Sequence, residues 1–355
     1  MLKSRVSSAR GYLDRFGVDA LIFFSLPTIR YLAGFTGSDG VLALSGDEVW
    51  FLTDSRYTVQ ASIETTGFGI REYRGKAEGV TSLLKEKKSA RVGFEAEHTT
   101  VALFRALSES LPDVEFVPIG GELDDLRLVK DSEESRILEK CAGLASSAFL
   151  DILGDIRPGA AEREIALALE FAMKRGGADE KSFDFIVASG SRGALPHGKA
   201  SERLIGSGEL VTIDFGAIYQ GYHSDETVTV SVGRPDPRQK EIYSIVKDAH
   251  DRAMEAVRPG ISLKELDGKA RDLIEGKGYG RYFGHGLGHG VGLEVHERPV
   301  VSYKNEALVE EGMVFTIEPG IYIPEWGGVR IEDTVLVTGD GCRPLTKVPK
   351  ELMIV

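Results

Sequence analysis

Cysteine is nearly missing from this chain: Cys141 and Cys342 are the only two. They stand far apart, in neither a metal-ligand nor a redox spacing, which excludes a disulfide framework, a thiolate zinc site and a CxxC centre as organising features. Both read as buried thiols of a protein in a reducing cytoplasm. No apolar run approaches the roughly 18 residues of a membrane span. The opening MLKSRVSSARGYLDRFG lacks the apolar core of a signal peptide. Positive charge is in deficit, with 43 Lys and Arg against 55 Asp and Glu, a net charge of −12 and no basic block. Nucleic acid and anionic membrane need a cationic footprint, so neither is an expected partner. The glycine-rich GFTGSDG at 34–40 lacks the Lys-Ser/Thr ending of a phosphate loop. A second glycine-rich run at 284–292 lacks the following helix and ribose acid of a dinucleotide site.

At 355 residues, 42% hydrophobic and 28% charged, the chain has material for two soluble domains. Over residues 1–122 helix and strand signals alternate. The pattern predicts a helix over 2–16, a buried strand over 20–24 and a hairpin over 41–53 turning at Gly46 and Asp47. Helical spacing returns over 54–64, and shorter strands follow at 92–94 and 114–117. The sum is a small α/β domain. Asp54, Arg56 and Tyr57 follow a strand and read as a helix start with a solvated ion pair. Residues 120–134 shift abruptly to polar and acidic, which places the boundary at 122/123 and a second domain over 123–355.

The second domain repeats itself. Helical spacing over 134–157 ends at Arg157, Pro158 and Gly159; helical spacing over 238–258 ends at Arg258, Pro259 and Gly260. Each RPG precedes another helical segment, with Glu164 and Glu265 at equivalent places 101 residues apart. Ser262 and Glu265 make the pattern of a capping box, and each later helix runs into glycines. A strand segment follows each, FDFIVASG in the first copy and YFGHGLGHG in the second. Matched order over two helices and a strand predicts a duplication, hence a pseudo-twofold domain with a cleft near its axis.

Within it, residues 211–230 read as two β-runs joined by a turn at Tyr219, Gln220 and Gly221. Asp214 and Asp225 interrupt the runs. Aspartate is disfavoured in strands and its buried charge is costly unless paired, so two on facing strands predict a shared cation. His285, His289 and His296 lie amid glycines and aliphatics. The four-residue step from His285 to His289 matches the zinc-protease helix, but the glutamate is missing and glycines fill the gap. Gly286, Gly288, Gly290 and Gly292 signal close backbone approach. Glu318 ends an apolar strand before Pro319 and Gly320, and Arg330, Glu332 and Asp333 sit on another. Four carboxylates and one imidazole suit a pair of divalent cations, manganese or cobalt ahead of a lone zinc. Two ions about 3.5–4 Å apart acidify a bridging water and clamp a tetrahedral intermediate. Carboxylate pairs without metal also do acid–base chemistry, as in glycosidases, but that leaves the histidines unexplained.

The motifs LPHG (195–198), DFG (214–216), SDET (224–227), GHGLGH (284–289), VHE (295–297), IEPG (317–320) and VRIED (329–333) occur in this order. With them the sequence resembles the pita-bread metallopeptidases, the family of aminopeptidase P, prolidase and methionine aminopeptidase, over essentially the whole chain. The resemblance implies an α+β protein with a C-terminal pseudo-twofold pita-bread domain (123–355) and a smaller N-terminal α/β creatinase-like domain (1–122). It implies metal ligands at Asp214, Asp225, His289, Glu318 and Glu332, holding two divalent ions, manganese first with cobalt or zinc as alternatives. It also implies catalytic roles: His197 beside the scissile carbonyl or proline ring, His296 stabilising the gem-diolate, and Glu318 as general base. His285 would support the site, and Tyr322 with Arg330 would form a hydrogen-bond relay beside it.

Creatinase shares this fold without metals, yet all five ligand positions here hold ligating residues. The extra N-terminal domain, YLAGFTGSDG and FLTDSRY resemble the aminopeptidase P branch. Two positions depart from the pattern: Val228 follows SDET, where many relatives carry Arg, and Val300 follows HERP, where several dipeptidases carry an Arg expected to hold the dipeptide's carboxylate. The second loss favours an Xaa-Pro aminopeptidase, which cuts between an N-terminal residue and a following proline through a metal-bridging hydroxide. A prolidase restricted to dipeptides is the alternative, and a catalytically silent peptide-binding module a third reading. The resemblance further implies a cytoplasmic homodimer acting on short peptides with proline second, GFTGSDG of one protomer approaching the other's cleft.

Overall fold

The computed structural model describes residues 2–355, which divide into two compact units, one ending at Arg127 and one spanning Leu128–Val355. The first is built on a mixed six-stranded sheet of order β4-β3-β2-β1-β5-β6. Its strands are β1 (Ala20–Phe23), β2 (Val41–Ser45), β3 (Glu48–Thr53), β4 (Gly69–Glu72), β5 (Arg91–Glu95) and β6 (Glu115–Ile119). Its helices are α1 (Leu2–Phe16), α2 (Leu26–Ala33), α3 (Thr58–Glu64), α4 (Lys76–Lys87) and α5 (Val101–Ser110). The uninterrupted apolar run ALIF becomes the fully buried central strand β1. Val80, Leu83 and Leu84 of α4 and Leu107 of α5 pack with Ile22, Leu52 and Val92 of the sheet. The β2–β3 turn contains Gly46 at φ 54°, as the hairpin pattern predicts.

Two boundaries differ from the sequence reading. Helix α3 begins at Thr58, because Asp54 and Arg56 close a local turn in which Arg56 N donates to Asp54 Oδ1 at 2.9 Å and the side chains pair at 2.6 Å. The acidic stretch past 122 forms a 3-10 segment, Gly121–Arg127, whose Leu123 and Leu126 are buried. The segment contacts α1 and belongs to the first unit, so the division falls a few residues beyond the shift in composition.

The second unit is the predicted duplication. Its first half holds α6 (Ser132–Ile152), α7 (Glu162–Gly176), β7 (Glu180–Lys181), β8 (Ile186–Ser189), β9 (Glu209–Phe215), β10 (Ala217–Tyr219), β11 (Tyr222–His223) and β12 (Glu226–Val232). Its second half holds α8 (Pro237–Ala256), α9 (Leu263–Gly276), β13 (Gly288–Gly290), β14 (Glu297–Val301), β15 (Val314–Ile317), β16 (Gly320–Ile323), β17 (Gly327–Arg330), β18 (Asp333–Val337) and β19 (Cys342–Pro344). Helices α6 and α7 pack on the β12-β9-β8 sheet through Phe149, Leu169, Val211 and Ile213. Helices α8 and α9 pack on the β14-β13-β15-β18-β19 sheet through Val246, Leu266, Phe315 and Val335.

The repeat extends to single backbone bonds. Gly159 at φ 85° donates to Ile205 O at 2.9 Å, and Gly260 at φ 88° donates to Val309 O at 2.8 Å. Ile205 N then returns to Ala160 O, and Val309 N to Ile261 O, both at 2.9 Å. Complete capping boxes open the first helix of each copy, Asp131 with Glu134 on α6 and Asp236 with Gln239 on α8. The box expected at Ser262 is only half formed. Its hydroxyl accepts from Glu265 N at 3.0 Å, but the Glu265 carboxylate turns to Lys269 Nζ, also at 3.0 Å. No helix among the described residues is long and apolar enough to cross a membrane.

Candidate active site

The turn at Gln220 and Gly221, both at positive φ, folds β10 onto β11 and sends the chain back as β12 alongside β9. Asp214 is the last residue but one of β9 and Asp225 immediately precedes β12. The other half supplies His289 from β13, Glu318 just after β15, and Glu332 between β17 and β18. Glu332 N donates to Thr227 O at 3.1 Å, so the two halves meet through backbone at the ligand itself. Gly288 makes the approach of β13 to β15 sterically feasible, since a Cβ there would lie 1.9 Å from Thr316 O.

Ligating atoms of Asp225, His289 and Glu332 all lie within 4.8 Å of one another. His289 Nε2 is 3.5 Å from Asp225 Oδ2 and 3.4 Å from Glu318 Oε1. Its Nδ1 hydrogen faces the Gly290 carbonyl at 3.1 Å, which leaves Nε2 as the lone-pair nitrogen turned toward the acids. Asp214 lines the same cavity of about 560 Å³. Its Oδ2 accepts from Arg330 Nη2 at 2.6 Å.

Three carboxylate oxygens in this cluster, Asp214 Oδ1, Asp225 Oδ1 and Glu332 Oε1, are buried with no hydrogen-bond partner. A buried carboxylate without a partner is strongly disfavoured, and several together call for cations. Burial, then the neighbouring acids, pushes the Asp225 and Glu332 carboxyls well above their ordinary range. Burial likewise raises Glu318. Burial depresses His289, keeping its imidazole neutral and fit to ligate. The donor set therefore fits divalent metal, with Asp214, Asp225, His289, Glu318 and Glu332 as the residues that would hold it.

The supporting side chains form one network. Arg330, 3% exposed, donates through Nη1 to Tyr322 Oη and to Pro196 O, and through Nε to Thr227 Oγ1, each at 3.0 Å. Tyr322 Oη lies 3.0 Å from His285 Nε2, while His285 Nδ1 faces Gly286 O at 2.8 Å. The tyrosine hydroxyl thus accepts from Arg330 and donates to His285. Burial raises the Tyr322 hydroxyl to about 12, so it stays protonated for that role. His197 and His296 are exposed and line the same cavity. The His296 ring packs against that of His289 with centroids 4.2 Å apart, and partial desolvation at that contact, then the neighbouring imidazole, lowers its pKa and favours the neutral ring.

Sequence reasoning missed three hydroxyls. Thr227 Oγ1 donates to Glu332 Oε2 at 2.6 Å, Thr316 Oγ1 to Glu318 Oε1 at 3.2 Å, and Thr334 Oγ1 to Asp225 O at 2.7 Å. A second layer of charge also went unseen. Lys350 Nζ, buried, lies 2.6 Å from Glu226 and 3.3 Å from Asp333, the sequence neighbours of Asp225 and Glu332.

A duplicated α+β unit that converges buried acids and a neutral imidazole in one pocket defines a metal-dependent hydrolase of the pita-bread class. The model of metallopeptidase family M24 matches residues 136–339, and that of the creatinase/prolidase N-terminal domain matches residues 5–129. The chain belongs to metallopeptidase family M24 and is an enzyme, an Xaa-Pro aminopeptidase or dipeptidase; membership implies divalent metal ions. It is 41% identical over 359 residues to the Xaa-Pro dipeptidase of Pyrococcus horikoshii, covering 99% of each chain. Among solved structures it resembles an Xaa-Pro dipeptidase from Bacillus anthracis, at 44% identity and TM-score 0.97 with 100% of each chain covered. It also resembles the X-Pro aminopeptidase of Thermotoga maritima, at 40% identity and TM-score 0.89 with 97% and 98% covered.

Proposed function

We propose that this chain is an Xaa-Pro dipeptidase, which hydrolyses the bond between an N-terminal residue and a C-terminal proline with two divalent ions, manganese or cobalt by donor type. The observation that carries the reading is the convergence of three unpartnered carboxylate oxygens and a bare imidazole nitrogen in a pocket walled by Phe183, Ile186, Pro196, Val295 and Val300. Proline has a fixed φ and no amide N–H, so an apolar wall suits its ring where a backbone partner would be wasted. The whole-chain likeness to two dipeptidases supports the dipeptide over longer peptides. That evidence displaces the aminopeptidase P preference drawn from Val300. The Thermotoga likeness keeps the aminopeptidase as the second reading. The cytoplasmic homodimer implied by the family resemblance stays part of the proposal.

Held by the five ligands, the ions would acidify a water and polarise the scissile carbonyl. The chain's own groups do the rest. Glu318, with one oxygen held by Thr316, takes up the proton of the attacking water and delivers it to the proline nitrogen as the amide bond breaks. His296, neutral, offers an N–H to the developing oxyanion, a donor worth about 3 kcal/mol of barrier. His197 meets the same carbonyl or the proline ring. Arg330 and Tyr322 hold Asp214 and His285 in place throughout.

Hydrolysis of Ala-Pro beside Ala-Pro-Ala, with manganese and with a chelator, tests this. Metal-dependent cleavage of Ala-Pro with the tripeptide spared is the expected result. Efficient tripeptide cleavage would move the assignment to the aminopeptidase, and cleavage of neither would reopen the silent module.

A further inference from the structure

A dipeptidase must hold a free carboxylate one residue beyond the scissile bond, and Val300 carries no charge to do it. The backbone register suggests where that charge lies. Lys199 pairs across an antiparallel bridge with Ile186, and Ile186 pairs with Asp214. Directly opposed residues on neighbouring strands share a face, so Asp214, Ile186 and Lys199 form one row, and all three line the pocket. With strands about 4.8 Å apart, the ends of the row are about 10 Å apart at Cα. With the scissile carbonyl at the metals, the proline beyond it spans about 3.5 Å, a ligand bond to a metal adds about 2 Å, and the flexible four-carbon stem of Lys199 covers the remainder. The row therefore presents a metal-site acid, an apolar floor and a cation within reach of a bound dipeptide's carboxylate.

Among the described residues, Arg330 and Lys199 are the arginine and lysine side chains that line this pocket. Arg330 is committed to Asp214, Tyr322, Thr227 and Pro196 O. Lys199 is free to turn. Its side chain is 74% exposed and its Nζ lies 2.8 Å from Asp184 Oδ2. Asp184 keeps a second partner, Lys181 Nζ at 3.1 Å, so it stays compensated when Lys199 leaves it. Trading one exposed carboxylate for another is close to neutral in energy, and the substrate's other contacts decide it.

We infer that Lys199 binds the α-carboxylate of the substrate's proline and sets the length preference of the enzyme, an inference that rests on the dipeptidase reading. A tripeptide or a C-terminal amide has no carboxylate at that distance. The test is kcat/KM for Ala-Pro and for Ala-Pro-amide in the manganese-loaded wild type, Lys199→Met and Lys199→Arg. The expected result is a wild-type preference for the free acid that falls roughly 10-fold in Lys199→Met, the scale of one charge-assisted hydrogen bond, and is largely kept in Lys199→Arg. An unchanged ratio in Lys199→Met, with the wild-type preference intact, would overturn the role of Lys199 and leave the dipeptidase standing. A wild type indifferent to the carboxylate would instead overturn the dipeptidase reading. Because Lys199 is exposed, the methionine variant folds, and its melting temperature verifies that.

Discussion

Thr227 Oγ1 donates to Glu332 Oε2 over 2.6 Å while accepting from Arg330 Nε at 3.0 Å. One hydroxyl thereby fixes the orientation of a carboxylate whose other oxygen, Oε1, has no protein partner. Partners that orient a metal ligand typically matter by 10–100-fold in metal affinity or activity. Thr227→Val keeps the shape and removes the donor. Manganese affinity measured by calorimetry on the chelated protein is expected to fall about 10-fold or more; an unchanged affinity would mean that Glu332 is held by its backbone alone.

Arg330 reaches four acceptors because a guanidinium is a planar fork, which lysine is not. Arg330→Lys can keep the contact to Asp214 but loses Thr227, Tyr322 and Pro196 O together. His285 then loses the fixed tyrosine hydroxyl beside it. The expected outcome is a fall in kcat for Ala-Pro of roughly 10–100-fold, with a smaller change in KM, because positioning rather than substrate contact is lost. A KM effect alone would indicate that Arg330 touches the substrate.

The site was legible in the sequence because its residues break a rule: acids and histidines interrupt runs that β-periodicity assigns to a buried surface. That signal picked out Asp214, Asp225, Glu318, Glu332 and a histidine, the family resemblance singled out His289, and all five line one pocket. The threonines obey the rule, and so stayed hidden. Thr227, Thr316 and Thr334 each stand two residues from one of the acids, on the strand period that puts both on one face. Threonine is also an ordinary strand residue, so the pattern gains meaning only once the acids are known to converge. The duplication was readable from RPG because positive-φ glycine at the same place in each copy is a backbone requirement. The start of α3 and the half-formed cap at Ser262 were not, since each turns on which of two polar partners a side chain selects.

Behind the ligands, Lys350 Nζ bridges Glu226 and Asp333, and all three side chains are buried. Removing one partner of a buried ion pair leaves uncompensated charge, at a cost of about 3–5 kcal/mol. Lys350→Met is expected to lower the unfolding free energy by that amount in urea denaturation at pH 7 in the presence of chelator. Because Glu226 and Asp333 adjoin Asp225 and Glu332, manganese affinity should fall as well. A stable variant with weakened metal binding would assign Lys350 to positioning alone.

The clearest pH signature belongs to Asp225 without metal. Burial first, then Glu332, Asp214 and Glu318, raise its carboxyl well above the ordinary value. A raised acid binds its proton more readily folded than unfolded, so its contribution to stability is full below the unfolded value, about 4. That contribution is lost as pH rises through the folded value. Buried histidines act in the opposite direction: burial depresses His285 and His289, so their contribution weakens as pH falls below about 6.5. Comparing the wild type with Asp225→Asn cancels the His285 part, while His289, 3.5 Å from Asp225, loses a neighbouring carboxylate in the variant and so narrows the gap further at low pH. In chelator, Asp225→Asn is expected to melt above the wild type at pH 8, with the gap narrowing as pH falls to 5. Manganese reverses the order at pH 8, because a ligand must be deprotonated to bind and the amide offers only a neutral oxygen. A gap in chelator that widens toward low pH would mean that the Asp225 carboxylate is compensated by protein groups, and the case for a cation between these acids would fail.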